Sequence, residues 1–387
     1  MPTNARSKFG GLILSWVLFY GAGLSCRAAV PGPAKVDFPP AQGPPTQAIP
    51  GGAYVGREAC AACHSEAAKS KGGDSMARAM ETAAECEILK AHPRLSVRKE
   101  GYTYQIIREG NRSIYRVTDG KHTISENILW AFGLGSAGQT YVFRHQGEYF
   151  QSRVSFYNDT QGLDLTLGVP DAPPTSIEEA VGSVISEEES RLCFGCHSTG
   201  AVSGDHMQFD RLIPGVTCEG CHGPGGKHIA AVQSGNSAGS QIFNPGSLDT
   251  GDLTRFCGSC HRTWEQVQLM HLSGVRTVRF QPYRLANSRC FDAEDSRISC
   301  KACHDPHHTV RRDISFYDAK CEACHTQLNG KVSGSSGKEE ARKASICPVG
   351  KKNCVDCHMP KYSLPGAHFK FADHEIRIVR RGESYPD

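Results

Sequence analysis

Seven times in 387 residues the pattern Cys-x-x-Cys-His recurs, and nothing else in the chain is as specific about chemistry. The copies are Cys60, Cys63 and His64; Cys193, Cys196 and His197; Cys218, Cys221 and His222; Cys257, Cys260 and His261; Cys300, Cys303 and His304; Cys321, Cys324 and His325; and Cys354, Cys357 and His358. Two thiols at this spacing add across the vinyl groups of haem as thioethers, and the adjacent imidazole is held under the iron as its proximal ligand. With 18 cysteines and 17 histidines, chance would supply only about 0.04 copies. Paired CxxC units also make four-thiolate zinc sites, but zinc has no need of a histidine after every second cysteine. The expectation is therefore seven covalently bound haems c, with fourteen cysteines on the porphyrins and seven histidines on the irons.

A sixth iron ligand must come from outside the motifs. His228 follows its motif through the glycine-rich turn Gly223-Pro224-Gly225-Gly226-Lys227, and His307 lies beyond the stiff Asp305-Pro306. His368 and His374 stand in the tail after the last motif. These four are the candidate distal ligands. Met76 is a fifth: Asp74 is read as the N-cap of a helix from Ser75 to about Leu89, with Met76 and Met80 on one face, and a thioether ligand raises the potential of its iron. His122 and His145 read as surface residues, whereas His92, His206, His271 and His308 are unassigned. An iron without a sixth ligand is open to a substrate. Of the cysteines outside the motifs, Cys26 leaves with an export signal, Cys290 and Cys347 are expected to pair, and Cys86 is the odd thiol.

The elements that must position these groups divide the chain into five. Residues 1–29 carry Arg6 and Lys8, an apolar run from Gly10 to Leu24 and small residues at Ala28 and Ala29, the pattern of a secretory signal peptide. Gly23-Leu24-Ser25-Cys26 is one place out of register for a lipoprotein acceptor. Residues 30–53 are a proline-rich linker. Residues 54–93 form the first haem segment, 94–168 a β-rich insertion, and 169–387 a hexahaem array with a tail. In the insertion Tyr102, Tyr104 and Ile106 alternate, Ile114 to Val117 answer them, and Tyr141 to Arg144 and Tyr149 to Val154 flank a turn at Gln146-Gly147. Gly133-Leu134-Gly135-Ser136-Ala137-Gly138 matches a dinucleotide fingerprint, but Thr140 to Phe143 reads as a strand where that fingerprint needs a helix.

Elsewhere the glycine- and serine-rich chain, 39% hydrophobic in total, leaves the porphyrins to supply much of the core. The expected fold is a mostly α and irregular multihaem cytochrome c with a haem-packed core and the β-rich insertion between haem 1 and haem 2. A formal charge of +3 gives no case for a nucleic-acid partner, and haem propionates make the loaded protein acidic. No segment after residue 29 has the apolar length of a membrane span, so the mature chain is expected not to span one.

With these residues in view, the chain resembles the multihaem cytochrome c family with doubled CxxCH motifs, related to the tetrahaem electron carriers of ammonia-oxidising bacteria. The marks are Tyr54-Val55-Gly56-Arg57-Glu58-Ala59 before the first motif, CEGCHGPG at Cys218 to Gly225, CKACHDPH at Cys300 to His307, and CVDCHMP at Cys354 to Pro360. The resemblance implies electron transfer with mostly bis-histidine haems. It borders on nitrite- and hydroxylamine-converting enzymes, but the CxxCK of the nitrite reductases does not occur here. The leading expectation is an exported heptahaem carrier, periplasmic or extracellular, relaying electrons between redox partner proteins. Its rivals are an oxidoreductase acting on a small nitrogen or sulfur compound at one five-coordinate haem, and a subunit of a membrane-associated or multi-cytochrome complex.

Overall fold

Nine strands between Met80 and Val184 join in one antiparallel sheet, the largest regular feature among the described residues. The computed structural model describes residues 52–236, 241–325, 347, 349–350, 352–380, 382–383 and 385–386. The export signal read at 1–29 lies outside the described residues, as does the proline-rich linker apart from 52 and 53.

The strands are β1 (Met80–Thr82), β2 (Arg94–Lys99), β3 (Tyr102–Glu109), β4 (Arg112–Thr118), β5 (Thr123–Phe132), β6 (Gln139–His145), β7 (Glu148–Tyr157), β8 (Gly162–Leu165) and β9 (Gly182–Val184). β2 to β8 follow one another as a meander, β1 adds to β5, and β9 adds to β7. Glu100-Gly101 and Gln146-Gly147 turn two of the hairpins, both residues of each pair having positive φ, which matches the right-handed twist of the strands they join. The meander curls until its ends meet: Lys99 at the end of β2 pairs with Asp164 of β8 at 2.8 Å, and beside it Arg153 of β7 pairs with Glu100. Tyr104, Ile106, Tyr115, Val117, Tyr141, Phe143, Val154 and Phe156 fill the inside, with Cys86 and Leu89 from one side and Ile177, Ala180 and Val181 from another.

This overturns the expectation of a mostly α fold. Among the described residues helix makes up 34% and strand 24%, and the sheet carries a buried hydrophobic core of its own. The helices that hold the motifs are short, because each is anchored by what it touches and not by its own length.

The helix expected from Ser75 to Leu89 does not form. Asp74 instead turns its carboxylate back to accept the Met76 amide at 2.7 Å and the Lys71 ammonium at 3.1 Å. The chain then runs into β1, where Met80, Glu81 and Thr82 pair with Phe132, Ala131 and Trp130. Only Glu87–Ala91 is helical. Long-range strand pairing has outweighed local helix propensity. The sequence Gly133 to Gly138 is a turn leading into β6, a strand, as the rejection of the nucleotide motif required.

Candidate haem centres

The second to seventh motifs fold around a helical turn or the last turn of a helix, whereas in the first only Cys60 is helical and Cys63 and His64 follow in a turn. Glu187–His197, Thr250–His261 and Ile314–His325 end on their motifs, Cys218–His222 and Cys354–His358 are nothing but the motif, and Cys60 and Cys300 lie in Arg57–Ala61 and Cys300–Cys303. In a helix, positions i, i+3 and i+4 share a face, so both thiols and the imidazole of each helical motif point the same way. The longer helices start on side-chain caps: Ser186 and Glu189 form a reciprocal capping box, and Asp249 accepts the Asp252 amide. Cys354 is capped from another element, since Asp318 accepts the amides of Asn353 and Cys354 at 2.8 Å each.

Several of these imidazoles are held by one ring nitrogen. His197 Nδ1 donates to the Ala79 carbonyl at 3.0 Å, His222 Nδ1 to Phe243 at 2.9 Å and His358 Nδ1 to Arg377 at 2.8 Å. In the tail His374 Nδ1 donates to Ala372 at 3.0 Å. A proton fixed on Nδ1 leaves the Nε2 lone pair for a metal, the usual second shell of a ligating histidine. Burial lowers the basicity of His197, His222, His261 and His304, so all four favour the neutral form that binds metal.

The rings come in facing pairs. His64 and His228 have centroids 6.4 Å apart, His222 and His307 6.1 Å, and His304 and His374 6.2 Å, with interplanar angles of 25°, 10° and 38°. These separations are too wide for ring stacking. Two metal–nitrogen bonds of about 2 Å plus the half-rings behind them come to about 6 Å. The spacing thus fits one iron between each pair. Among the described residues no group of three or more His, Cys, Asp or Glu side chains is placed to hold a bare metal ion.

The other candidates lie elsewhere. His368 Nε2 bonds Asp164 Oδ2 at 3.1 Å and its ring packs on Tyr157, so it is tied to the sheet beside β8. Met76 sits in the turn after Asp74, with its carbonyl accepting the Val216 amide, and no described contact brings it to a motif imidazole. His122 is exposed beside Asp119, while His145 is more enclosed than a surface residue and bonds Glu126 at 2.8 Å. His206 and His308 pair with Asp205 and Asp305 at the surface, and His92 packs on Phe156. Cys290 and Cys347, expected as a disulfide, are both exposed free thiols.

Thiols of different motifs meet. Cys60 is pushed up to about 11 by burial and by Cys218 beside it, and Cys354 to about 12 by burial, Asp318 and Cys321. Cys260 is raised above all by its hydrogen bond to Cys196, and Cys257 by its bond to Cys300; the acceptors Cys196 and Cys300 are lowered in turn. Cys221 acts on both Cys257 and Cys260, and Cys303 on Cys321. The first motif therefore adjoins the third and the third the fourth. The fourth adjoins the second and the fifth, and the fifth leads through the sixth to the seventh. Since thioethers form at the porphyrin edge, the hydrogen-bonded thiol pairs Cys60–Cys218, Cys196–Cys260, Cys257–Cys300 and Cys321–Cys354 would bring those edges together.

Some supporting residues carry no sequence signal. Glu219, within the third motif, is 2% exposed and accepts the amides of Val55 and Gly56, which precede the first motif, and of Gly225. Only its place inside CEGCH hinted at a role. Lys71, Asp318, Arg284 and Asp373 are also buried and equally unannounced.

A family model described as cytochrome c554 and c-prime matches residues 173–223, a stretch holding the second and third motifs. The multiheme cytochrome MtrA of Shewanella baltica (strain OS185) is 24% identical over 184 residues, 44% of this chain and 46% of that one. The chain thus spans about half the length of this curated relative. Among solved structures, the outer cell wall cytochrome OcwA superposes with a TM-score of 0.47 at 17% identity, over 84% of this chain and 80% of the other. That likeness is too loose to carry a fold across. No helix among the described residues is long and apolar enough to cross a membrane.

Proposed function

We propose, from the premise that this chain is a multihaem cytochrome of the c type, that it relays electrons through seven covalently held haems in an exported respiratory chain. The observation that carries this reading is the spacing of three imidazole pairs, 6.1 to 6.4 Å, the width of an iron with two nitrogen ligands. Haem, when bound, supplies the one-electron couple. His64, His197, His222, His261, His304, His325 and His358 hold the irons from one side. His228, His307 and His374 would hold three of them from the other. An iron held between the two imidazoles of any of these three pairs would have no position left for a substrate, which favours a carrier over an oxidoreductase.

The proximity of thiols from different motifs supports short steps from haem to haem, with the fourth motif as a junction for the second, third and fifth. The backbone carbonyls at Ala79, Phe243 and Arg377 fix the imidazole tautomer and so help set each potential. Export follows from the signal read at 1–29 and from the thioether chemistry. Redox proteins are the partners.

The test is haem mass together with ferric and ferrous spectra of the purified protein, carbon monoxide being added to the reduced form. Seven haems by mass and no carbon monoxide binding are expected. Fewer haems would refute the count, and a haem that binds carbon monoxide would replace the carrier by an oxidoreductase with an open iron.

A further inference from the structure

Arg284 is wholly buried, on the short helix Gln281–Ala286, and a guanidinium in such a place is costly unless it is paired. It is paired through Nε and Nη2, while the buried Nη1 has no hydrogen-bond partner among the described residues. Nε donates to Asp373 Oδ1 at 2.9 Å and Nη2 to Asp373 Oδ2 at 3.1 Å, a bidentate clamp, and Nη2 also contacts Glu375. Its face lies over the Tyr385 ring, 4.7 Å from the centroid. Asp373 is as fully buried and also accepts the Glu375 amide at 3.0 Å, so one carboxylate fixes the backbone on both sides of His374. Ser288, just past the same helix, donates to the His374 carbonyl at 3.1 Å and accepts the Ile376 amide at 2.8 Å. The tail is pinned at each residue from 373 to 376.

The same carboxylate reaches a second imidazole. Arg377 Nη2 stands 3.5 Å from Asp373 Oδ2, and the Arg377 carbonyl accepts Nδ1–H of His358 at 2.8 Å. His374 faces His304, whereas His358 belongs to the last motif. One buried pair therefore lies between the distal ligand of one haem and the proximal ligand of another.

We infer that Arg284 and Asp373 are positioning residues that set the coordination of two haems at once, holding His374 opposite His304 and orienting His358 through Arg377. The inference rests on the haem reading above. Neither residue touches an iron; each acts through the backbone that carries or receives an imidazole. Loss of the clamp frees the tail, so the fifth-motif iron loses its sixth ligand while the seventh-motif imidazole loses its fixed tautomer.

The experiment uses the haem-loaded full chain and compares Arg284→Met, Arg284→Lys, Ser288→Ala and His374→Ala. It reads the ferric paramagnetic resonance spectrum, the carbon monoxide bound per chain after reduction, and the potentiometric curve. His374→Ala should gain one high-spin haem and one equivalent of carbon monoxide, with the remaining haems unmoved. Arg284→Met should gain the same equivalent and in addition shift the potential of a second, still low-spin haem, and Arg284→Lys should restore part of both. Ser288→Ala, which keeps the ion pair, should give a smaller high-spin fraction at the same site and serves if Arg284→Met fails to accumulate. If His374→Ala opens a haem but Arg284→Met and Ser288→Ala leave spectrum and potentials as in the parent, the positioning role is overturned. If His374→Ala opens none, it is the ligand reading that falls, and the positioning role falls with it.

Discussion

The ammonium of Lys71 donates to the carbonyl oxygen of Pro306 at 3.2 Å, across a separation of 235 residues. Lys71 follows the first motif, and Pro306 immediately precedes His307, whose ring faces His222. Asp74 completes a buried ion pair with the same lysine, and Thr309 ties the far side of the loop to the Gly73 carbonyl. A segment after the first motif thus holds His307, from beyond the fifth, over the imidazole of the third.

Replacing Lys71 by methionine leaves Asp74 buried without its partner, and breaking a buried pair from one side costs about 3–5 kcal/mol. The expected outcome is a fall of that size in denaturant stability, together with a high-spin fraction at the third-motif haem. Guanidinium titration and ferric spectra measure the two. A stable variant with unchanged low-spin haem would mean that Pro306 and His307 are held without the lysine.

Glu219 offers a cleaner test of stability. Alanine there strands the amides of Val55, Gly56 and Gly225, each costing about 1–3 kcal/mol if it stays buried. Glutamine keeps one carbonyl acceptor and should lose less. The order parent, Glu219→Gln, Glu219→Ala in guanidinium midpoint is the expected result, and an alanine variant as stable as the glutamine one would contradict it.

Acid should weaken the fold through His374. Its enclosure lowers its pKa from 6.5 to about 4, so between these values the unfolded imidazole takes up a proton that the folded one refuses. Stability is then fully present above pH about 6.5, declines as pH falls, and levels out near pH 4. An iron on Nε2 competes with the same proton and steepens the decline. Unfolding titrations at pH 7 and pH 4.5 check this, with His374→Phe expected to flatten the difference.

The thiols outside the motifs should react in a fixed order. Cys347 is exposed and lowered by the amides of Gly350 and Val349; Cys290 is exposed as well. Cys86 is buried against Gln139, and burial pushes it up to about 11. Alkylation of the native protein should mark Cys347 and Cys290, and Cys86 only after denaturation. A native mass lacking both labels would restore the disulfide that the structure lacks.

The strands of the sheet were legible because their cues are local: Tyr104 and Ile106 alternate with polar neighbours, and Gln146-Gly147 announces its turn. The three histidines that face a motif imidazole share a cue as well, each lying just beyond a stiff or glycine-rich turn or in the terminal tail. The region after Asp74 was misread for the opposite reason. Its residues suit a helix, and only the pairing of Met80 with Phe132 makes a strand of it. The contact of His368 with Asp164, 204 residues away, likewise has no local cue. Sequence gives the attachment chemistry; chain crossings such as Lys71 to Pro306 are set by tertiary structure.

Contact between Cys60 and Cys218 also implies an order of events in time. Both thiols are half-buried and engaged with each other where they meet, so attachment of porphyrin is expected before the first and third motifs close. The sheet, with a core of its own, is under no such constraint. Hydrogen exchange on the haem-free chain should find β2 to β8 protected while the helices at 218–222 and 250–261 exchange freely, and protection throughout would refute this sequence of events. Maturation then resembles threading: the sheet is finished early, the motifs on either side wait for their porphyrins, and the haem region closes when the last one is in place.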